Sequence, residues 1–259
     1  MADLKFNGIT PAVGKIKLGS IDVQKIYSNV TLVWPLSTPP APCTGYEFAN
    51  NTELQSAVNL WVSNEAEAIA NYGQINTWCT GNVTNMASLF FGKTLFNEDI
   101  SNWDVSNVTN MSAMFKNAFS FNQPLNSWDV SSVVLMNEMF QDATAFNQPL
   151  DSWDTSNVNN TRLMFDGASS FDGDISSWDV SNITNMSGMF QDASLFNQDI
   201  GSLDVSNVTD MSFMFIRATI FNQDLSNWCV TNIASEPTAF SLDSALTPAN
   251  KPVWGTCPP

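Results

Sequence analysis

The sequence contains no histidine. That excludes Ser–His and Cys–His dyads, imidazole general bases and His-ligated metals from any reading of its function. Charged residues are scarce as well, at 13% of the chain, about half the usual share, so its polar surface must come mainly from Asn, Ser, Thr and Gln. Cations are the rarest of all: 9 Lys and Arg stand against 25 Asp and Glu, for a formal net charge of -16. A surface this acidic repels nucleic acid and anionic lipid at long range. It supports solubility, and it is also suited to divalent cations or basic partners. No apolar run approaches the roughly 20 residues of a membrane span, and MADLKFNGITPAVGKIKLGS lacks the continuous apolar core of a signal peptide. The expectations are no nucleic-acid partner, no membrane insertion and no ordinary secretion signal in this segment.

What is abundant is apolar: 44% of 259 residues, enough for a sizeable core and too much for wholesale disorder. It is arranged with a period of 25 residues. Tryptophan recurs at Trp78, Trp103, Trp128, Trp153 and Trp178, Leu203 takes the next slot, and Trp228 follows. Five residues after each comes Val83, Val108, Val133, Val158, Ile183, Val208 or Ile233. Further columns run through Met114, Met139, Met164, Met189 and Met214, through Phe90, Phe115, Phe140, Phe165, Phe190 and Phe215, and through Phe96, Phe121, Phe146, Phe171, Phe196 and Phe221.

Columns that keep one size and polarity at fixed spacing imply equivalent positions stacked in space, each unit covering a neighbour that cannot bury its own apolar face. The alternation around LDSWDTSNV (150–158) suits a short strand and has the L-x-x-L-x-L rhythm of leucine-rich repeats. The run from Val108 through Met111, Met114, Phe115 and Ala118 suits one or two helical turns with an apolar stripe. The expected fold is therefore an α/β repeat solenoid, leucine-rich-repeat-like, with a parallel sheet on one side, short helices on the other, and seven strand positions spanning roughly 30 Å. The Met and Phe columns read as core filling rather than a binding groove. The column Asn82, Asn107, Asn157, Asn182, Asn207 and Asn232 reads as satisfying backbone groups at a turn, which explains its N-x-S/T sequons more simply than glycosylation does.

Solenoids need caps. Residues 44–77 break the repeat; NNTELQSAVNLWVSNEAEAIANYG (50–73) reads as helical, with Leu54, Ala57, Val58 and Trp61 on one side and Asn51 or Thr52 as N-cap. Residues 234–259 break it at the other end, leaving 78–233 as the repeat. The four cysteines respect these boundaries: Cys79 and Cys229 lie in the first and last coils, Cys43 and Cys257 in the caps. The natural pairing is Cys43 with Cys79 and Cys229 with Cys257, implying an oxidising setting. Zinc binding is the competing reading. Between them, Asp104, Asp129, Asp154, Asp179 and Asp204 follow the tryptophan position. Stacked about 5 Å apart, these carboxylates form either a hydrated row or a row that holds a cation such as Ca2+.

Residues 1–36 carry a net charge of +2. KIKLGSIDVQKIYSNVTLVWP (15–35) reads as three short strands, a small all-β module too small for a large core and so in need of a partner or an oligomer. PLSTPPAPC, with the linker proper at 37–43, reads as a Pro-rich, semi-rigid spacer.

Two resemblances follow. Residues 78–233, through motifs such as WDVSNVTNMSAMFKNAFSFNQPL (103–125), resemble the bacterial surface-protein repeat of about 25 residues found in Mycoplasma and Listeria lipoproteins and in marine Bacteroidetes. ELQSAVNLWVSNEAEAIANYG and WCVTNIASEPTAF look like its usual caps. The resemblance implies a leucine-rich-repeat-like solenoid at cell surfaces, an adhesive role and no catalytic residues. LGSIDVQKIYSNVTLVWP (18–35) is similar to a motif at the start of bacteriophage structural proteins, with Asn29 where glycine is commoner. It implies an anchor to other virion proteins. Together they predict a non-enzymatic virion appendage at the particle surface, a head fibre, decoration or tail-associated protein and homo-oligomer, that binds a host-surface glycan or protein. A bacterial surface adhesin is the alternative. A carbohydrate-active enzyme is a distant third, because a repeated position seldom supplies one distinct acid and one distinct base.

Overall fold

A chain that repeats every 25 residues must close a turn of structure in 25 residues, and hydrogen bonding within and between coils shows how this one does. In the computed structural model, which describes residues 43–258 and the backbone of Ile16–Leu18 and Ile21–Val23, each coil is a succession of tight turns. In the coil that starts at Trp103, the N–H groups of Trp103, Val108, Met114, Ala118 and Phe121 each donate to the carbonyl three residues earlier. The N–H groups of Met111, Ala113, Phe115 and Asn117 donate instead to Leu135, Asn137, Met139 and Gln141 of the following coil.

This corrects the expected parallel sheet and short helices. Among the described residues from Cys43 onward there is no strand, and no helix lies between Thr77 and Pro248. Neighbouring coils meet in isolated parallel bridges, Asn85 to Asn110, Leu135, Asn160, Asn185 and Asp210 in turn, at one position per coil where a ladder needs several. The segment expected to be a strand curls: Trp153 N–H bonds to Leu150 O and Val158 N–H to Thr155 O, contacts that extended backbone cannot make. The segment expected to be helical is broken by left-handed residues four apart, Ala113 and Asn117 (φ 54° and 59°) in one coil, Glu138 and Asp142 (60° and 57°) in the next. A right-handed helix does not pass through such positions.

The apolar columns nevertheless point inward. The tryptophans, both phenylalanine columns and the Met114 column are buried throughout. Rings from Phe90 through Phe215 stack coil upon coil at 5.3–5.8 Å, with planes within 6°. The Phe96 to Phe221 column does so at 5.7–6.0 Å. Between the two columns the rings lie 3.9–4.1 Å apart. From Trp103 onward each indole N–H of the column finds a carbonyl in the preceding coil, as in Trp153 Nε1 to Leu125 O at 2.9 Å and Trp178 Nε1 to Leu150 O at 3.0 Å, while Trp78 donates to Gly73 O in the cap, so the column is buried without an orphaned donor.

The caps end the stack by turning a ring edge-on. At the N-terminal side α1 (Asn51–Ser63) buries Leu54, Ala57, Val58 and Trp61 and α2 (Glu65–Tyr72) buries Ala68, with Trp61 perpendicular to Trp78 of the first coil at 5.8 Å. The N-cap of α1 is Asn50, one position before Asn51: its side chain accepts from Thr52 N and Glu53 N, while Glu53 reaches back to Ala49 N. Asn64 ends α1 and caps α2. At the far side Phe240 stands perpendicular to Phe215 at 5.3 Å, and Trp254 perpendicular to Phe240.

Contacts divide the chain into two units, Met1–Pro42 and Cys43–Pro259. In the first, β1 (Ile16–Leu18) pairs antiparallel with β2 (Ile21–Val23), Leu18 opposite Ile21. The third expected strand and residues 37–42 of the linker lie outside the described residues.

Candidate functional site

With the apolar columns committed to the core, the chemistry available to a partner lies on the exterior of the coils, which is largely polar but also exposes Leu95, Phe119, Leu195 and Ile220. The row Asp104, Asp129, Asp154, Asp179 and Asp204 is exposed. Each carboxylate accepts from the backbone N–H two residues on, from Ser106, Ser131, Ser156, Ser181 and Ser206 at 3.0–3.1 Å, an Asx turn that holds the corner after the tryptophan. The serine hydroxyl hydrogen bond and then this N–H hold Asp154 and Asp179 below the usual carboxylate range. A second set, Asp99, Asp174, Asp199 and Asp224, makes the same turn one corner earlier. Among the described residues no group of three or more Asp, Glu or Cys is placed to hold a metal ion, so the Ca2+ expectation for the Asp104 row has no assembled cage behind it.

The other polar columns tie coil to coil. Asn107, Asn157, Asn182, Asn207 and Asn232 donate from Nδ2 to a carbonyl of the preceding coil at 2.6–2.8 Å. A ladder that sequence reading missed runs through Asn97, Asn122, Asn147, Asp172, Asn197 and Asn222, each side-chain oxygen accepting the N–H of the residue 25 positions on. The repeated Phe-Asn-Gln triplet was its signal.

The cysteines are paired as the coil boundaries suggested, Cys43 with Cys79 and Cys229 with Cys257, and none is free for zinc. Each bridge ties a cap to its terminal coil.

One break in the repeat leaves a concavity. Where Leu203 replaces tryptophan, a cleft of ≈ 500 Å³ opens between Asp199, Gly201, Ser202, Leu203, Asp204, Val205, Asp224, Asn227 and Cys229. No tryptophan fills the column between Trp178 and Trp228, and Gly201 supplies no side chain, since a Cβ there would meet Asp224 O. The cleft's lining combines Leu203 and Val205 with the carboxylates Asp199, Asp204 and Asp224, the Asn227 amide and the Ser202 hydroxyl.

A stack of 25-residue coils, closed at both ends by disulfide-tied caps and carrying polar ladders outside, defines a tandem-repeat protein. Its family is that described as Mycoplasma protein of unknown function, DUF285, to which the chain belongs: the family model matches residues 52–168 and 148–251, covering the helical cap, the coils and most of the C-terminal cap. No curated protein and no solved structure matches the chain. Of the phage-like motif at 18–35, only Leu18 and β2 lie within the described residues.

Proposed function

We propose that this is a non-catalytic display protein of a bacteriophage particle: residues 1–36 dock on other virion proteins, and the coils present a polar face that binds a host-surface glycan or protein. The observation that carries the reading is the division of labour within each coil. Apolar columns are spent on stacking, the exterior carboxylates on corner turns, and what remains outside is a recurring acidic row, the Leu203 cleft and exposed apolar side chains such as Leu95, Phe119, Leu195 and Ile220. Such a face suits adhesion, since its groups recur at one spacing and neighbouring residues differ little from coil to coil. The virion part rests on the resemblance of LGSIDVQKIYSNVTLVWP to phage structural proteins.

Deleting residues 1–36 tests the anchor: the truncated protein is expected to fold and to be missing from purified particles, and its incorporation at the normal level would defeat the reading. Leu203→Trp tests the face. It refills the column, and binding to host cells is expected to fall while the fold is retained. A second reading, a bacterial surface adhesin, rests on the resemblance of residues 78–233 to bacterial surface-protein repeats, and detection on uninfected cells is its deciding result.

A further inference from the structure

Asp166 is the one aspartate in the coils that the structure buries, at 8% exposure. It follows Phe165 on the column that holds Lys116, Gln141 and Gln191 in neighbouring coils. Gln141 Nε2 donates to its Oδ2 at 2.8 Å, while Gln141 Oε1 is buried without a partner. The charged groups that bear on it come from the coils on either side: Asp142 from the one before, Asp192 and Arg217 from those after. Asp142, Gly167, Asp192 and Arg217 occupy one left-handed column in successive coils, and Gly167 leaves the space that the Asp142 carboxylate takes up. The sole cation is already committed, with Arg217 bonded bidentately to Asp192 and facing Asp243 as well. Asp166 thus sits buried between two like charges without a cation of its own. Ionising it there is costly, whereas a neutral carboxylic acid removes the repulsion and brings a donor into a cluster that holds an orphaned acceptor.

We propose that Asp166 is a proton-operated latch: mild acid neutralises it and tightens the coils bearing Asp142, Asp166 and Asp192, and neutral pH loosens them by charging it. Burial, the largest influence, together with Asp142 and Asp192, raises its pKa to about 6. In the unfolded chain it titrates at ~3.9. The folded value is the higher one, so the stabilisation is full below pH ~4 and is lost as pH rises through about 6. The exposed carboxylates with depressed values, such as Asp154 and Asp179, contribute in the opposite sense, so the latch is read by difference.

The test compares thermal unfolding of the intact protein with that of Asp166→Asn between pH 4 and 8, with Asp104→Asn as a control for loss of an exposed charge. The variant is expected to melt roughly 2–4 °C above the wild type at pH 7.5, the gap closing towards pH 4, while the control shows no such convergence. In parallel, amide exchange in the wild type at Asp142, Gly167 and Asp192, corrected for intrinsic rates, should slow several-fold on going from pH 7.5 to 5. A pH-independent gap, or corrected exchange that does not slow in acid, would overturn the proposal. If the variant does not fold, the carboxyl carbon resonance of Asp166 in the wild type decides: a midpoint near 4 sinks the latch and one near 6 supports it.

Discussion

At the scale of single residues, the regular columns make each exception informative. Thr161 stands where Met86, Met111, Met136, Met186 and Met211 stand in other coils. It is fully buried, and its hydroxyl has no hydrogen-bond partner. A buried unsatisfied hydroxyl costs about 1–3 kcal/mol. Thr161→Val, which keeps the shape and removes the hydroxyl, should therefore stabilise the protein by about 1 kcal/mol, visible as a higher denaturation midpoint at unchanged slope. The opposite sign is expected where an exception would break packing. Trp153 fills the core and donates its indole N–H to Leu125 O, so Trp153→Ala should cost about 3–5 kcal/mol, by the same measurement. Leu203 is an exception of another kind, because it leaves a cleft at the surface.

At the scale of elements, the caps do what the coils cannot do for themselves. α1 is specified locally by the Asn50 cap, the Glu53 return contact and an apolar face of Leu54, Ala57, Val58 and Trp61. The helix and its apolar face were legible in sequence; the Glu53 return contact was not read there, nor was the cap's register, since neighbouring asparagines at 50 and 51 offer the same side chain. The disulfides add a constraint on the unfolded chain. Cys43–Cys79 spans 36 residues and Cys229–Cys257 spans 28, so removing either bridge as a Cys→Ser pair should cost about 4 kcal/mol on chain-entropy grounds, measurable by chemical denaturation. The coil itself was misread at this scale. Apolar residues at spacings of 3, 3, 1 and 3 fit a helix, and they equally fit consecutive three-residue turns. The positions that decide between the two are the left-handed ones. Gly92, Asn117, Asp142, Gly167, Gly188 and Asp192 carry a residue signature for that conformation. Ser88, Ala113, Glu138, Leu163, Phe213 and Arg217 carry none, so half the pattern was invisible.

At the scale of the second unit, each coil is stable because its neighbours cover it, and the two end faces are the exposed risk. Deleting residues 1–77 removes both helices and Cys43 and uncovers the Trp78 side of the first coil, which Trp61 and Phe48 otherwise close. That variant is expected to associate into dimers or larger species at micromolar concentration, detected by light scattering on a sizing column, while the capped unit does not gain mass through this face. A monomeric deletion variant would contradict the capping role.

The sequence alone determined the period, the inward columns, the cap helix and the cysteine pairing, because each is written as residue type against position and needs only the rule that equivalent positions stack. Tertiary structure decided whether each N–H turns back three residues or crosses to the next coil, since that depends on backbone angles that serine, glutamate or phenylalanine do not announce. It decided where Leu203 opens a cleft and where Asp166 meets Asp142 and Asp192, because those neighbours lie about one coil apart along the chain and come together only when the coils are in register.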